Sequence, residues 1–117
     1  MAEDIVPNLT GDWIGNYTGH FEEYIRIEQQ GSFATAVKVT GDDHVPSGQI
    51  TWRADVATGD GEGQIAEHDF RNARFIPGHL FVGDSGHIRF EWFGVGAVEF
   101  RREIGRASCR ERVLASV

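Results

Sequence analysis

The chain has 117 residues, a formal net charge of −7 and one cysteine, which fits one domain able to enclose at most one modest pocket. The acidic balance, with no Lys/Arg cluster before residue 101, excludes a phosphate-tracking surface, and a lone Cys109 excludes a disulfide framework or a thiolate metal cluster. No apolar run is long enough to span a bilayer, and the start Met1-Ala2-Glu3-Asp4 is acidic where a secretory leader is basic. A soluble, intracellular, cytoplasmic monomer is therefore expected, with neither nucleic acid nor membrane as a partner.

Residues 1–10 read as a flexible start. Beyond them, fifteen glycines, eight phenylalanines and three tryptophans, with no sustained helical period, predict strands punctuated by turns. Strands are expected near 11–17, 22–30, 32–40, 48–56, 62–68, 73–76, 79–84, 86–93 and 95–101. The clearest runs Gln49 to Val56, where Ile50, Trp52, Ala54 and Val56 alternate with polar residues at the period of a pleated sheet. On the preceding segment Phe33, Thr35, Val37 and Val39 are read as the core face, against Ala34, Ala36, Lys38 and Thr40. Ile88, Phe90 and Trp92 repeat the pattern. Turn signals lie between the runs, among them Gln30-Gly31-Ser32, Pro46-Ser47-Gly48 and Pro77-Gly78.

Eight or nine short strands over residues 11–102 predict an all-β fold, a small antiparallel up-and-down barrel of lipocalin-like type, because closure removes exposed edges. A two-sheet sandwich is the alternative. In a barrel the first strand, with Trp13, neighbours the last, ending Arg101-Arg102, so an arginine could cap the indole and seal one end; the other reading is a core tryptophan and two solvated arginines. Residues 103–117 break from the aromatic, glycine-rich pattern. They read as a non-native or disordered tail resembling translated sequencing adapter, or else as a short helix carrying Arg106, Arg110 and Arg112.

Two segments carry a more specific signal. The first is Gly11-Asp12-Trp13-Ile14-Gly15-Asn16-Tyr17-Thr18-Gly19-His20, continuing into Lys38-Val39-Thr40-Gly41-Asp42 and Pro46-Ser47-Gly48. The second is Gly61-Glu62-Gly63-Gln64-Ile65-Ala66-Glu67-His68, followed by Pro77-Gly78 and Phe90-Glu91-Trp92. In order and spacing these resemble the C-terminal D-type-cyclin-binding domain of F-box proteins, the substrate-recognition module of a ubiquitin-ligase receptor. The resemblance implies a β-barrel that grips the end of a client polypeptide, with Tyr17, His20 and His68 among its motif residues. Departures are Glu67 and Asp69 flanking His68, and Phe21 after His20, where the family has glycines. Thr58-Gly59-Asp60 stands where members can carry a long insertion. With ten residues upstream of the domain, no F-box is expected, and ligase recruitment is not expected of this chain alone.

Lys38, Thr40 and Asp42 leave one strand end together, offering a cation, a hydroxyl and an acceptor to a peptide C-terminus at the barrel mouth. The plainer reading is an Asp-stabilised turn beside a solvated lysine. His20, His44, His68, His79 and His87 have no short ligand spacing, so no metal is expected. Alternation is expected to set Glu67 and Asp69 opposite His68. The carboxylates Glu22, Glu23, Glu28, Glu62 and Glu67 have no diagnostic spacing, and no phosphate-binding loop is present. The expectation is a non-catalytic protein- or peptide-binding barrel without cofactor. A lipocalin-like carrier of a small apolar ligand, drawing on Trp13, Trp52, Trp92, Phe33 and Phe90, is the alternative, and a small hydrolytic enzyme the less favoured one.

Overall fold

The computed structural model describes residues 7–16, 22–41, 44–83 and 86–103. Eight strands form a closed antiparallel barrel in sequence order: β1 (Gly11–Asn16), β2 (Glu22–Gln30), β3 (Phe33–Lys38), β4 (Ile50–Asp55), β5 (Asp60–Glu67), β6 (Arg71–Val82), β7 (His87–Trp92) and β8 (Gly96–Arg102). Closure is made by Trp13–Arg102, Ile14–Arg101 and Gly15–Phe100, pairing first strand with last. A 3-10 turn, His68–Phe70, links β5 to β6. Among the described residues no helix is long and apolar enough to cross a membrane.

The expected strands 73–76 and 79–84 are one strand, β6, which runs straight through Pro77-Gly78. Proline survives there because the Pro77 carbonyl accepts from Phe93 N at 3.1 Å. In a strand a residue's N and O face the same neighbour, so its missing N–H points beyond the last β7 pair, Gly78–Trp92. Gly78 is there for packing: a Cβ would stand 2.5 Å from the Phe90 ring.

The face assignment on β3 is also reversed. Ala34, Ala36 and Lys38 are buried, whereas Phe33 and Val39 are 47% and 44% exposed. A small barrel has room for few large side chains, so small and large residues alternate around its interior. Here Trp13, Trp52, Phe90 and Phe100 are fully buried, and β3 supplies the small partners. Trp52 stacks parallel on Phe90 with centroids 5.0 Å apart, and Trp92 meets Phe90 edge-on at 4.9 Å. Gly63 on β5 completes the fit, since a Cβ would lie 2.2 Å from the Trp92 indole nitrogen.

One end of the barrel is sealed as the capped-tryptophan reading expects. The Arg102 guanidinium lies 4.5 Å from the Trp13 ring and donates to Thr10 O and Asn8 O, both at 3.0 Å. The Trp13 indole donates to Leu9 O at 2.9 Å, and Leu9 is itself buried. Arg101 is not part of the seal; it pairs with Glu22 at 3.2 Å on the outer wall. Replacing Arg102 with methionine keeps the aliphatic stem and removes the guanidinium, so a loss of about 1–3 kcal/mol is expected in urea melts.

Elsewhere on the outer wall Arg26 meets Asp12 at 2.8 Å, both well exposed. Hydrogen bonding to Asp12, then its charge, pushes the guanidinium pKa further above its ordinary value. An exposed pair of this kind contributes at most about 1 kcal/mol.

Candidate functional site

The opposite rim is formed where β1 ends, β2 begins, β3 ends and β4 begins. On β2 the two-residue period turns Glu23, Ile25 and Ile27 inward and leaves Glu22, Arg26 and Glu28 exposed. Ile25 stands opposite Lys38 on β3, so Glu23 is diagonal to that lysine. Lys38 Nζ donates to Glu23 Oε1 at 2.9 Å, and both side chains are buried. This ion pair sits on the inward face, at the rim end of β2 and β3. Gly15, opposite Glu23 on β1, adds no side chain next to it.

Lys38 and Thr40, expected on one face, are therefore separated: Lys38 is buried and Thr40 exposed. The cause is a bulge just past β3. The amides of Val39 and Thr40 both donate to Tyr24 O, at 2.8 and 3.3 Å, so two residues oppose one and the alternation shifts. The Thr40 hydroxyl accepts from Tyr24 N at 2.9 Å, tying the β2 edge to the turn. A second irregularity follows on β4, where Ala36 pairs with Trp52 and Val37 with Ile50, leaving Thr51 between them without a partner residue on β3.

The turn after β3 is compact. Ser47 Oγ donates to Val39 O at 2.8 Å, and Gly48 N to Lys38 O at 2.8 Å. Gly41 is indispensable to it, because a Cβ would stand 2.2 Å from Ser47 N. Val45 is buried. His44 Nδ1 lies 3.0 Å from Ala66 O, a contact that requires the proton on Nδ1.

Tyr17, His20 and Asp42 lie outside the described residues, as do residues 1–6 and the tail from 104 onward. His68 is exposed, and its ring meets that of His44 edge-on with centroids 6.2 Å apart. Asp69 approaches His68 Nδ1 at 3.5 Å and is not set opposite it, because residues 68–70 leave the strand for a 3-10 turn and alternation no longer applies. Of the predicted residues that are described, Lys38, Thr40 and His68 lie at the rim, and among these three only Lys38 points into the barrel. Glu23 is the residue that sequence reasoning passed over as a site group. Its signal was present in the alternation Glu23, Ile25, Ile27.

The arrangement offers a charged pair on the inward face, a backbone-rich turn outside it and a packed aromatic interior beneath. Comparison with known proteins agrees with the reading from the residues at the level of the domain. The chain is 33% identical over 91 residues to "Protein EXECUTER 2, chloroplastic" of Oryza sativa subsp. japonica, covering 62% of this chain and 13% of that protein. It is 29% identical over 76 residues to "Protein EXECUTER 1, chloroplastic" of Arabidopsis thaliana, covering 49% of this chain and 11% of that protein. These relatives carry the EXECUTER name, and the chain spans a small part of their length. The sequence profile described as the Cyclin D1 binding domain matches residues 5–104, the whole barrel with all eight strands, and the chain belongs to that family.

Proposed function

We propose that this barrel is a non-catalytic protein-binding module of a longer protein, holding the end of a client polypeptide at the rim where β3 leaves the barrel. The observation that carries this is the family match across every strand. The core supports a protein client over a small apolar ligand: Trp52, Phe90 and Phe100 fill the interior, so a carrier would have to displace its own stacked aromatics. The names of the relatives favour a chloroplast setting over the cytoplasm expected from the sequence.

The buried pair refines what terminus would suit the rim. Glu23 holds Lys38, so a free carboxylate has to compete with Glu23 for the ammonium and is repelled by the Glu23 charge. An uncharged, amide-like end meets neither penalty. Random peptides offered as free acids and as amides should therefore differ, with the amides bound about tenfold more tightly. Asp42→Asn should keep the fold and weaken amide binding by about 1.5–3 kcal/mol, the range for a charge-assisted hydrogen bond. Equal affinity for both end groups, unchanged in Asp42→Asn, would sink the terminus reading.

A further inference from the structure

We propose that the free edge of β6, residues 71–76, is a strand-addition site for an extended client segment that carries a carboxylate opposite Arg74. The inference rests on the protein-binding reading and names both the segment and its mode of contact.

β6 outruns β7. Its last pair with β7 is Gly78–Trp92, whereas on the other side it stays paired with β5 as far as Glu67–Arg71. Past Trp92 the chain turns off towards β8: Phe93 N donates to Pro77 O at 3.1 Å, and Val95 N to Trp92 O at 3.0 Å. Beyond that turn the line of β7 is open among the described residues. Arg71, Asn72, Ala73 and Arg74 are exposed along it, and Phe93 and Val95, at the turn itself, are 50% and 65% exposed.

Bonds further along β6 fix which way its backbone groups face. Leu80 N faces β5, donating to Gly59 O at 2.8 Å, and Pro77 O faces the β7 side. Alternation then sends Phe75 N, Phe75 O and Ala73 O to the open side, where no described residue bonds to them. An antiparallel segment continuing the line of β7 would exchange two bonds with Phe75 and donate a third to Ala73 O.

The charges select the segment. Arg71 donates to His68 O at 3.4 Å and Arg74 to Asn72 O at 2.9 Å; among the described residues neither pairs with a carboxylate. Glu67 at least stands opposite Arg71, but the residue opposite Arg74 is Ile65. Ile76 packs against the core, and alternation puts Arg74 on that same face, over the barrel mouth. A client side chain opposite Arg74 lies beside its guanidinium, where a carboxylate is favoured. A second copy of this chain is the poorer occupant, since two β6 edges would crowd Arg71 and Arg74 of both onto one ladder.

The test uses the full chain and the tightest binder from a library of random dodecapeptide amides, resynthesised with one backbone N-methyl group at each position in turn. Strand addition predicts losses of about tenfold at two amides two residues apart, less than about twofold at the residue between them, and Asp or Glu as that middle residue. Arg74→Glu, at an exposed position, should weaken the peptide about tenfold, and changing the peptide's middle acid to lysine should restore most of the loss. A scan without the paired losses, or affinity unchanged in Arg74→Glu, overturns strand addition while the protein-binding reading stands. No binder from a monomeric chain counts against both. No binder from a chain that sediments as a dimer points to a second copy at the edge and overturns the proposal. The N-methyl series uses unaltered protein and decides the matter even if the variant does not fold.

Discussion

Lys38→Met is expected to destabilise the domain by about 3–5 kcal/mol in urea or thermal melts, because it leaves the Glu23 carboxylate buried beside a thioether. Glu23 and Lys38 are both nearly inaccessible, and a charge removed from water is tolerated only with a partner and hydrogen bonds. The double variant Glu23→Met with Lys38→Met should recover most of the loss, since replacing a whole buried pair with apolar groups of similar volume is often close to neutral. A single variant as stable as the parent would mean that water reaches the pair and that the rim is more open than its burial implies. If the double variant is stable but loses peptide binding, the pair serves recognition and not folding.

Trp52→Ala should cost about 3–5 kcal/mol, the usual loss when a buried aromatic is truncated in a tight core. Trp52 is fully buried, stacked on Phe90 and tilted against Phe100 at 6.0 Å. Its neighbours across the ladder are Ala36 and Gly63, which have no side-chain reach with which to fill the hole. Trp52→Phe should cost much less, about 1–2 kcal/mol. It keeps the stack and removes an indole N–H that has no acceptor among the described residues. Denaturant melts of the two variants side by side check this. A loss below about 1 kcal/mol for the alanine variant would contradict the packing described above.

The strands and the family were legible in the sequence because both rest on local order. Alternation at Trp52, Ala54 and Val56, and again at Ile88, Phe90 and Trp92, named the inward faces of β4 and β7 correctly, since hydrophobicity and the two-residue period agreed there; it failed at the start of β4, where the irregularity leaves Ile50 half-buried and buries Thr51, expected on the wet face. At β3 they disagreed. Hydrophobicity alone favours Phe33 and Val39 over Ala34 and Ala36, yet the barrel interior is limited by volume, and which strand must contribute the small residues depends on the tryptophans of its neighbours. Pro77-Gly78 misled in the same way, a local turn signal overridden by what lies across the sheet.

The rim shows the limit most clearly. That Lys38, Thr40 and Gly41 occur together is a fact of the sequence, but the bulge at Val39 and Thr40 exists only because two amides share the Tyr24 carbonyl on another strand. Lys38 follows Ala34 and Ala36 inward to Glu23 by plain alternation, and the one-residue shift beyond it leaves Thr40 outside. The sequence by itself determined an all-β chain of short strands and membership of its family, and offered the capped Trp13 as one of two readings. Tertiary structure alone decided which face of β3 is core, that Glu23 and Lys38 form a buried pair, and that β6 outruns β7, because each depends on register between strands that no spacing within one strand records.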